Sequence, residues 1–328
     1  MGLDRRLTSW WRHWALLLAA LVCPDPGSSS AAAPDFAESQ SESQADPQAA
    51  PAEALPRQQV LRRALRSDTS QQYLLYLPAH IAAGEPVFVT VHGISRNVDE
   101  HATMFAPFAE ARGVVLIAPS FTEADNEDYQ RVGRGESGKR SDQALNDILD
   151  EVHALTGVDT HRYTLFGFSG GAQFAHRYLM AHPRRIERAA LGAPGWYLFP
   201  DPRKPYPYGL GPSADSPGVH FDPDHFLRVP VTVFVGADDV GDVNLRTNPG
   251  VNRQQGLTRV QRAKRWTAAM RHAAEMRGLK PRVRCEVVPG IGHSFADFMQ
   301  KGQLGERVFG FLYGDAPRAP GDTSVSLR

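Results

Sequence analysis

The stretch FGFSGGAQFAHRY, from Phe166 to Tyr178, sets Gly167, Ser169 and Gly171 in the spacing G-x-S-x-G. A serine hydroxyl raised on a sharp turn can attack a carbonyl carbon, and small neighbours give the backbone room to bend. Such a hydroxyl is a weak nucleophile and needs a base. Twelve histidines are available. His293 stands out, because VVPGIGHSFADF places it just after the last predicted strand, between Gly292 and Ser294. His176 and His182 sit on the helix after Ser169, and His13 lies near the start of the chain. The base needs a carboxylate to fix its tautomer and stabilise its charged form. VTVFVGADDVGD ends another predicted strand in Asp238, Asp239 and Asp242. Asp239 is the expected acid, with Asp238 and Asp242 as alternates.

Acyl transfer also needs donors for the oxyanion that develops. VFVTVHGISRN ends an early strand in His92-Gly93-Ile94. The backbone N–H of Ile94 and that of Gly170, directly after Ser169, are expected to converge on one oxygen, which leaves His92 a structural role. The segment Trp196–Val229 is rich in proline and aromatic residues and is long for a connection, as functional insertions often are. It is expected to wall or cover a substrate site, with Trp196 and Tyr197 as binding residues.

Other chemistries fit less well. No His/Asp/Glu set falls at a short metal-ligand spacing such as H-E-x-x-H, so neither a metal nor another cofactor is expected. GRGESGKR, Gly133–Arg140, spells G-x-G-x-x-G. No clear strand precedes it, and Arg140 stands where a phosphate loop needs Ser or Thr, so it reads as a polar surface loop.

These residues need a scaffold that brings strand ends together. Short apolar runs suit strands buried on both faces of a parallel sheet. They occur at Tyr73–Leu77, Val87–Val91, Val114–Pro119, Tyr163–Phe166, Ala189–Leu191, Val231–Val235 and Arg284–Val288. Helical periodicity falls between them. Leu145, Ile148, Leu149, Val152 and Leu155 form one stripe behind Ser141, the expected N-cap, and Val260, Ala263, Met270 and Ala274 form another ahead of Gly278. A last helix follows His293. Alternating strands and helices predict an α/β fold with a mostly parallel central sheet flanked by helices.

With those motifs in place, residues from about Arg66 to Tyr313 resemble an α/β-hydrolase. YLLYLP, VTVHGISRN, VVLIAPSF, LFGFSGGAQFAHRY, VFVGADD and GIGHSF carry the likeness. They are similar to the branch of polyhydroxybutyrate-depolymerase-like and feruloyl-esterase-like enzymes. The resemblance implies a serine hydrolase acting on carboxylic esters, with Asp239 in Gly236-x-x-Asp239 as the acid. The order Ser169, Asp239, His293 is the one used by α/β-hydrolases. HGISRN lacks the Cys-Thr-Gln often found there in depolymerase relatives. A peptidase of the same fold and an inactive binding protein are the alternatives, since fold alone does not dictate function.

The chain has 328 residues, 42% hydrophobic and 22% charged, with 36 basic and 36 acidic side chains. That neutrality disfavours nucleic acid as the main partner, because phosphate binding needs a basic excess; an ester-bearing small molecule or polymer is expected instead. Arg5, Arg6 and Arg12 precede an apolar run, Trp14–Val22, far short of the ~20 residues of a spanning helix. Ala31 and Ala33 suit a cleavage site, so residues 1–33 read as a signal peptide and the mature chain as secreted or periplasmic. A lipid anchor at Cys23 is disfavoured by Val22, and leader removal leaves Cys285 without an intrachain partner. Residues 34–57 are too polar to bury a core and read as a disordered linker, 58–315 as the catalytic domain and 316–328 as a disordered tail.

Overall fold

The structure, a computed structural model, describes residues 55–132, 140–216, 218–242 and 244–314. The expected leader with Cys23, most of the expected linker, the glycine-rich stretch 133–138 and the expected tail at 316–328 lie outside them.

Eight strands form one sheet: β1 (Val60–Leu65), β2 (Asp68–Tyr76), β3 (Phe88–Val91), β4 (Leu116–Ser120), β5 (Tyr163–Phe168), β6 (Ile186–Gly192), β7 (Val231–Gly236) and β8 (Val283–Val288). Their order across the sheet is β1-β2-β4-β3-β5-β6-β7-β8. β1 and β2 form an antiparallel pair, and β2 runs antiparallel to β4. The five remaining pairings, from β4 to β8, are parallel. Every residue of β3, β5 and β7 is buried, which explains their unbroken apolar runs. Each predicted strand lies on or within two residues of an observed one. β1, VLRRAL, was not anticipated: it is a half-exposed edge strand whose arginines break the apolar signal.

Helices cover both faces. On one side lie α2 (Ser141–Thr156), α3 (Gly170–Ala181) and α6 (Arg259–Glu275), whose Leu145, Ile148, Phe174, Ala263, Trp266 and Met270 share a core with the sheet. On the other lie α1 (Val98–Arg112), α7 (Phe295–Gln300) and α8 (Leu304–Tyr313), which contribute Phe105, Phe298 and Phe309. Two short helices, α4 (Pro223–Phe226) and α5 (Pro249–Gln255), stand in the connections around β7.

The aromatic segment after β6 turns inward. Tyr197, Tyr206 and Phe226 are buried. Tyr197 stacks on Trp266 at 5.0 Å between ring centres. Its backbone N–H donates to the Gln255 carboxamide oxygen at 2.8 Å, and its carbonyl accepts from the same side chain at 2.9 Å. The Trp266 indole donates to the Leu198 carbonyl at 2.8 Å.

Candidate active site

Ser169 stands between the end of β5 and the start of α3, with φ +52° and ψ −112°. A left-handed φ at a non-glycine residue costs about 1–3 kcal/mol and persists only where the surroundings enforce it. They do so here. The Ser169 N–H donates to the Gly192 carbonyl at 2.7 Å. A Cβ on Gly167 would overlap the Gly171 carbonyl, and one on Gly171 would overlap those of Val91 and His92. The G-x-S-x-G spacing thus reflects two close backbone crossings on either side of the serine.

The structure brings Ser169, His293 and Asp239 together. Ser169 Oγ is 3.0 Å from His293 Nε2. His293 Nδ1 is 2.7 Å from Asp239 Oδ2. Asp239 is 2% exposed, whereas the alternates Asp238 and Asp242 face solvent. Gly236 makes the approach of the two loops possible, since a Cβ there would overlap the Ile291 carbonyl. The Asp238 N–H donates to that carbonyl at 3.0 Å, tying the loop after β7 to the loop after β8. The His293 ring stacks on Phe168 at 5.4 Å, and Phe295, two residues on, stacks on His101 at 3.9 Å. The histidine loop is therefore held from both layers beneath it.

The turn after β3 completes the site. His92 is buried, and burial pushes its pKa down to about 4. The neutral ring accepts the Phe121 N–H at Nε2, 3.0 Å, which leaves Nδ1–H to donate to the Gly93 carbonyl at 2.8 Å. Tyr129 donates its hydroxyl to the His92 carbonyl at 3.0 Å. The turn so fixed carries Ile94, whose N lies 3.2 Å from the position a Cβ on Gly170 would take. Neither the Ile94 nor the Gly170 N–H has a hydrogen-bond acceptor among the described residues.

A cleft of about 250 Å³ opens over Ser169 and His293, lined among others by Ile94, Glu100, Phe168, Asn244 and Phe295. Trp196 and Tyr197 do not line it. Trp196 is 4% exposed, with the Arg177 guanidinium over its ring at 4.2 Å and that of Arg246 at 5.1 Å. Tyr197 belongs to the core described above. His176 and His182 are engaged elsewhere: His176 accepts from the Leu198 N–H, and His182 pairs with Asp142. No group of three or more potential metal ligands forms among the described residues, and no helix there is long and apolar enough to cross a membrane.

One partner escaped the sequence reading. Arg259, the first residue of α6, places Nη1 3.0 Å from Asp239 Oδ1, with both side chains almost fully buried. A cation in the first turn of a helix opposes the helix dipole, and that misfit was the one available signal.

No family model matches the chain. Among solved structures it is similar to poly(aspartic acid) hydrolase-1 from Sphingomonas sp. KT-1, at 26% identity and a TM-score of 0.61, covering 71% of this chain and 92% of that one. It is also similar to LpqC, a poly(3-hydroxybutyrate) depolymerase from Bordetella parapertussis, at 28% identity and a TM-score of 0.62, covering 76% and 86%. A stretch of 119 residues is 25% identical to the bifunctional acetylxylan esterase/xylanase XynS20E of Neocallimastix patriciarum. That match spans 34% of this chain and 16% of that protein. Sheet order and likeness together make the chain an α/β-hydrolase-fold protein.

Proposed function

We propose that the chain is an exported serine hydrolase that cleaves carboxylic esters through an acyl-enzyme intermediate. The observation that carries this is the Ser169–His293–Asp239 series, with contacts of 3.0 and 2.7 Å, beside two backbone N–H groups that have no acceptor among the described residues. His293 Nε2 takes the proton of the Ser169 hydroxyl as its oxygen attacks the ester carbonyl carbon. Asp239 holds the ring through Nδ1–H and stabilises the imidazolium that forms. The tetrahedral oxyanion is held by the N–H groups of Ile94 and Gly170. Collapse expels the alcohol, which takes its proton from His293. Water then enters, gives a proton to His293 and attacks the acyl carbon; collapse releases the acid and returns the proton to Ser169. Export rests on the basic and apolar start of the sequence.

The small, open cleft suits a short acyl group or one repeat of a polymer more than a large buried ligand, since drug-sized ligand pockets run to about 300–1,000 Å³. Ser169→Ala is expected to abolish both hydrolysis of short p-nitrophenyl esters and labelling by a fluorophosphonate. A variant that keeps either would refute the assignment. A second reading, amide hydrolysis, draws on the likeness to a poly(aspartic acid) hydrolase, whose polymer is joined by amides. Matched ester and amide substrates separate the two: preferential turnover of the amide would favour it.

A further inference from the structure

The assignment above uses one oxygen of Asp239. The other faces a cation that the mechanism has not called on. Asp239 leaves β7 on the loop that meets His293, and its Oδ2 lies 2.7 Å from Nδ1 of that ring. Its Oδ1 lies 3.0 Å from Arg259 Nη1. Both carboxylate and guanidinium are about 98% buried, so solvent screens the pair little. A buried carboxylate without a counter-charge is costly, and a neutral imidazole supplies none.

The setting of Arg259 is built. Thr258 caps α6 by accepting the Gln261 N–H at 3.2 Å, which fixes where the helix starts. One turn on, Arg262 is also buried and donates to the carbonyls of Gly195, Arg246 and Gly256 and to the Asn252 carboxamide oxygen, at 2.7–3.0 Å. Arg262 thus fastens the start of α6 to the chain around it, and Arg259 projects from that anchored turn onto the acid.

We propose that Arg259 is a positioning residue acting through Asp239: it occupies Oδ1, so that Oδ2 alone serves His293, and it supplies the buried carboxylate with its permanent counter-charge. The chain then carries an ordered series, Arg259–Asp239–His293–Ser169, in which the first member never exchanges a proton. This rests on the serine-hydrolase reading.

Kinetics of the full-length chain on p-nitrophenyl acetate test it, with active sites titrated by the burst of p-nitrophenol so that rates refer to competent protein. Arg259→Gln is expected to lower kcat about 10- to 100-fold with KM nearly unchanged, the range seen when a group that orients a reacting or ligating residue is lost. Arg259→Lys keeps the charge but not the planar fork and is expected to recover part of the loss. In an Asp239→Asn background, Arg259→Gln is expected to cost less than about 2-fold more, because residues acting as a unit are not additive. An equal loss in both backgrounds would overturn the proposal, since a merely structural arginine acts whatever the acid. So would an unchanged kcat per titrated site. If Arg259→Gln does not accumulate as folded protein, Arg259→Lys bears the same test: a lower kcat at constant KM that vanishes in the Asp239→Asn background supports the proposal, and an unchanged kcat refutes it. Ser169→Ala separates the two levels. Persistent turnover there removes the underlying reading, whereas a dead Ser169→Ala with an additive Arg259 effect removes only the arginine's role.

Discussion

Asp238, Asp239 and Asp242 follow the end of β7 at Gly236, and burial distinguishes them. Asp239 is enclosed between His293 and Arg259, while Asp238 and Asp242 face water. Asp239→Asn is expected to lower kcat by about 10⁴, the cost of presenting the wrong tautomer to a serine. Asp238→Ala and Asp242→Ala are expected to stay within about 2-fold of the parent, because a solvated turn carboxylate contributes little. Steady-state ester kinetics on the three variants check this. A large loss at Asp238 or Asp242 would move the acid. Before the structure, the three remained a choice with a preferred member. Spacing marks the end of a strand, but it does not say which side chain turns beneath the next loop. Arg259 was still less visible, since its partner is 20 residues away and the contact depends on where Thr258 starts the helix.

The elements were legible to different degrees, for physical reasons. β3, β5 and β7 are buried on both faces and read clearly. β1 lies at the edge and hid behind its arginines. The aromatic segment after β6 looked like a substrate wall, because aromatic and proline content is the same in a lid and in a packed connection. Tyr197 and Tyr206 went to the core, where Trp266 and Phe221 stack on them. One polar joint between elements has a pH dependence of its own. Asp142, in the first turn of α2, accepts from His182 at the end of α3 at 2.8 Å and from Arg140 at 2.7 and 3.1 Å. Burial pushes its pKa up, but these hydrogen bonds and charges outweigh burial and hold it down at about 2. The folded value lies below the unfolded one, so the joint's stabilisation of about 2 kcal/mol is complete above about pH 4 and is lost as pH falls toward 2. Asp142→Asn is expected to lose about that amount at neutral pH and to converge on the parent between about pH 4 and pH 2. Urea melts at several pH values read this directly, and a pH-independent difference would argue for lost packing instead.

Across the whole molecule, the site is a product of topology. Ser169 lies 124 residues from His293 and His293 lies 54 from Asp239, yet Ile94, Ser169, Asp239 and His293 each follow the C-terminal end of a parallel strand. Strands β3, β5, β6, β7 and β8 are consecutive in the sheet, so those ends share one edge. This much could be read in advance, because parallel strands joined by helices leave their ends on one side. The distances could not, since they depend on crossings that only glycine permits at Gly167, Gly171 and Gly236.

The backbone at Ser169 has a consequence for the molecule's history as well as its chemistry. At φ +52° its Cβ is an encumbrance that glycine would remove. Ser169→Gly is expected to be about 1 kcal/mol more stable than Ser169→Ala, by thermal or chemical melting, although both are expected to be inert. An equal or lower stability would show that the turn is relaxed. A lineage kept only for endurance at high temperature would therefore drift toward glycine here. It would fall silent without any change in the outline of its sheet, leaving His293 and Asp239 without the hydroxyl they face.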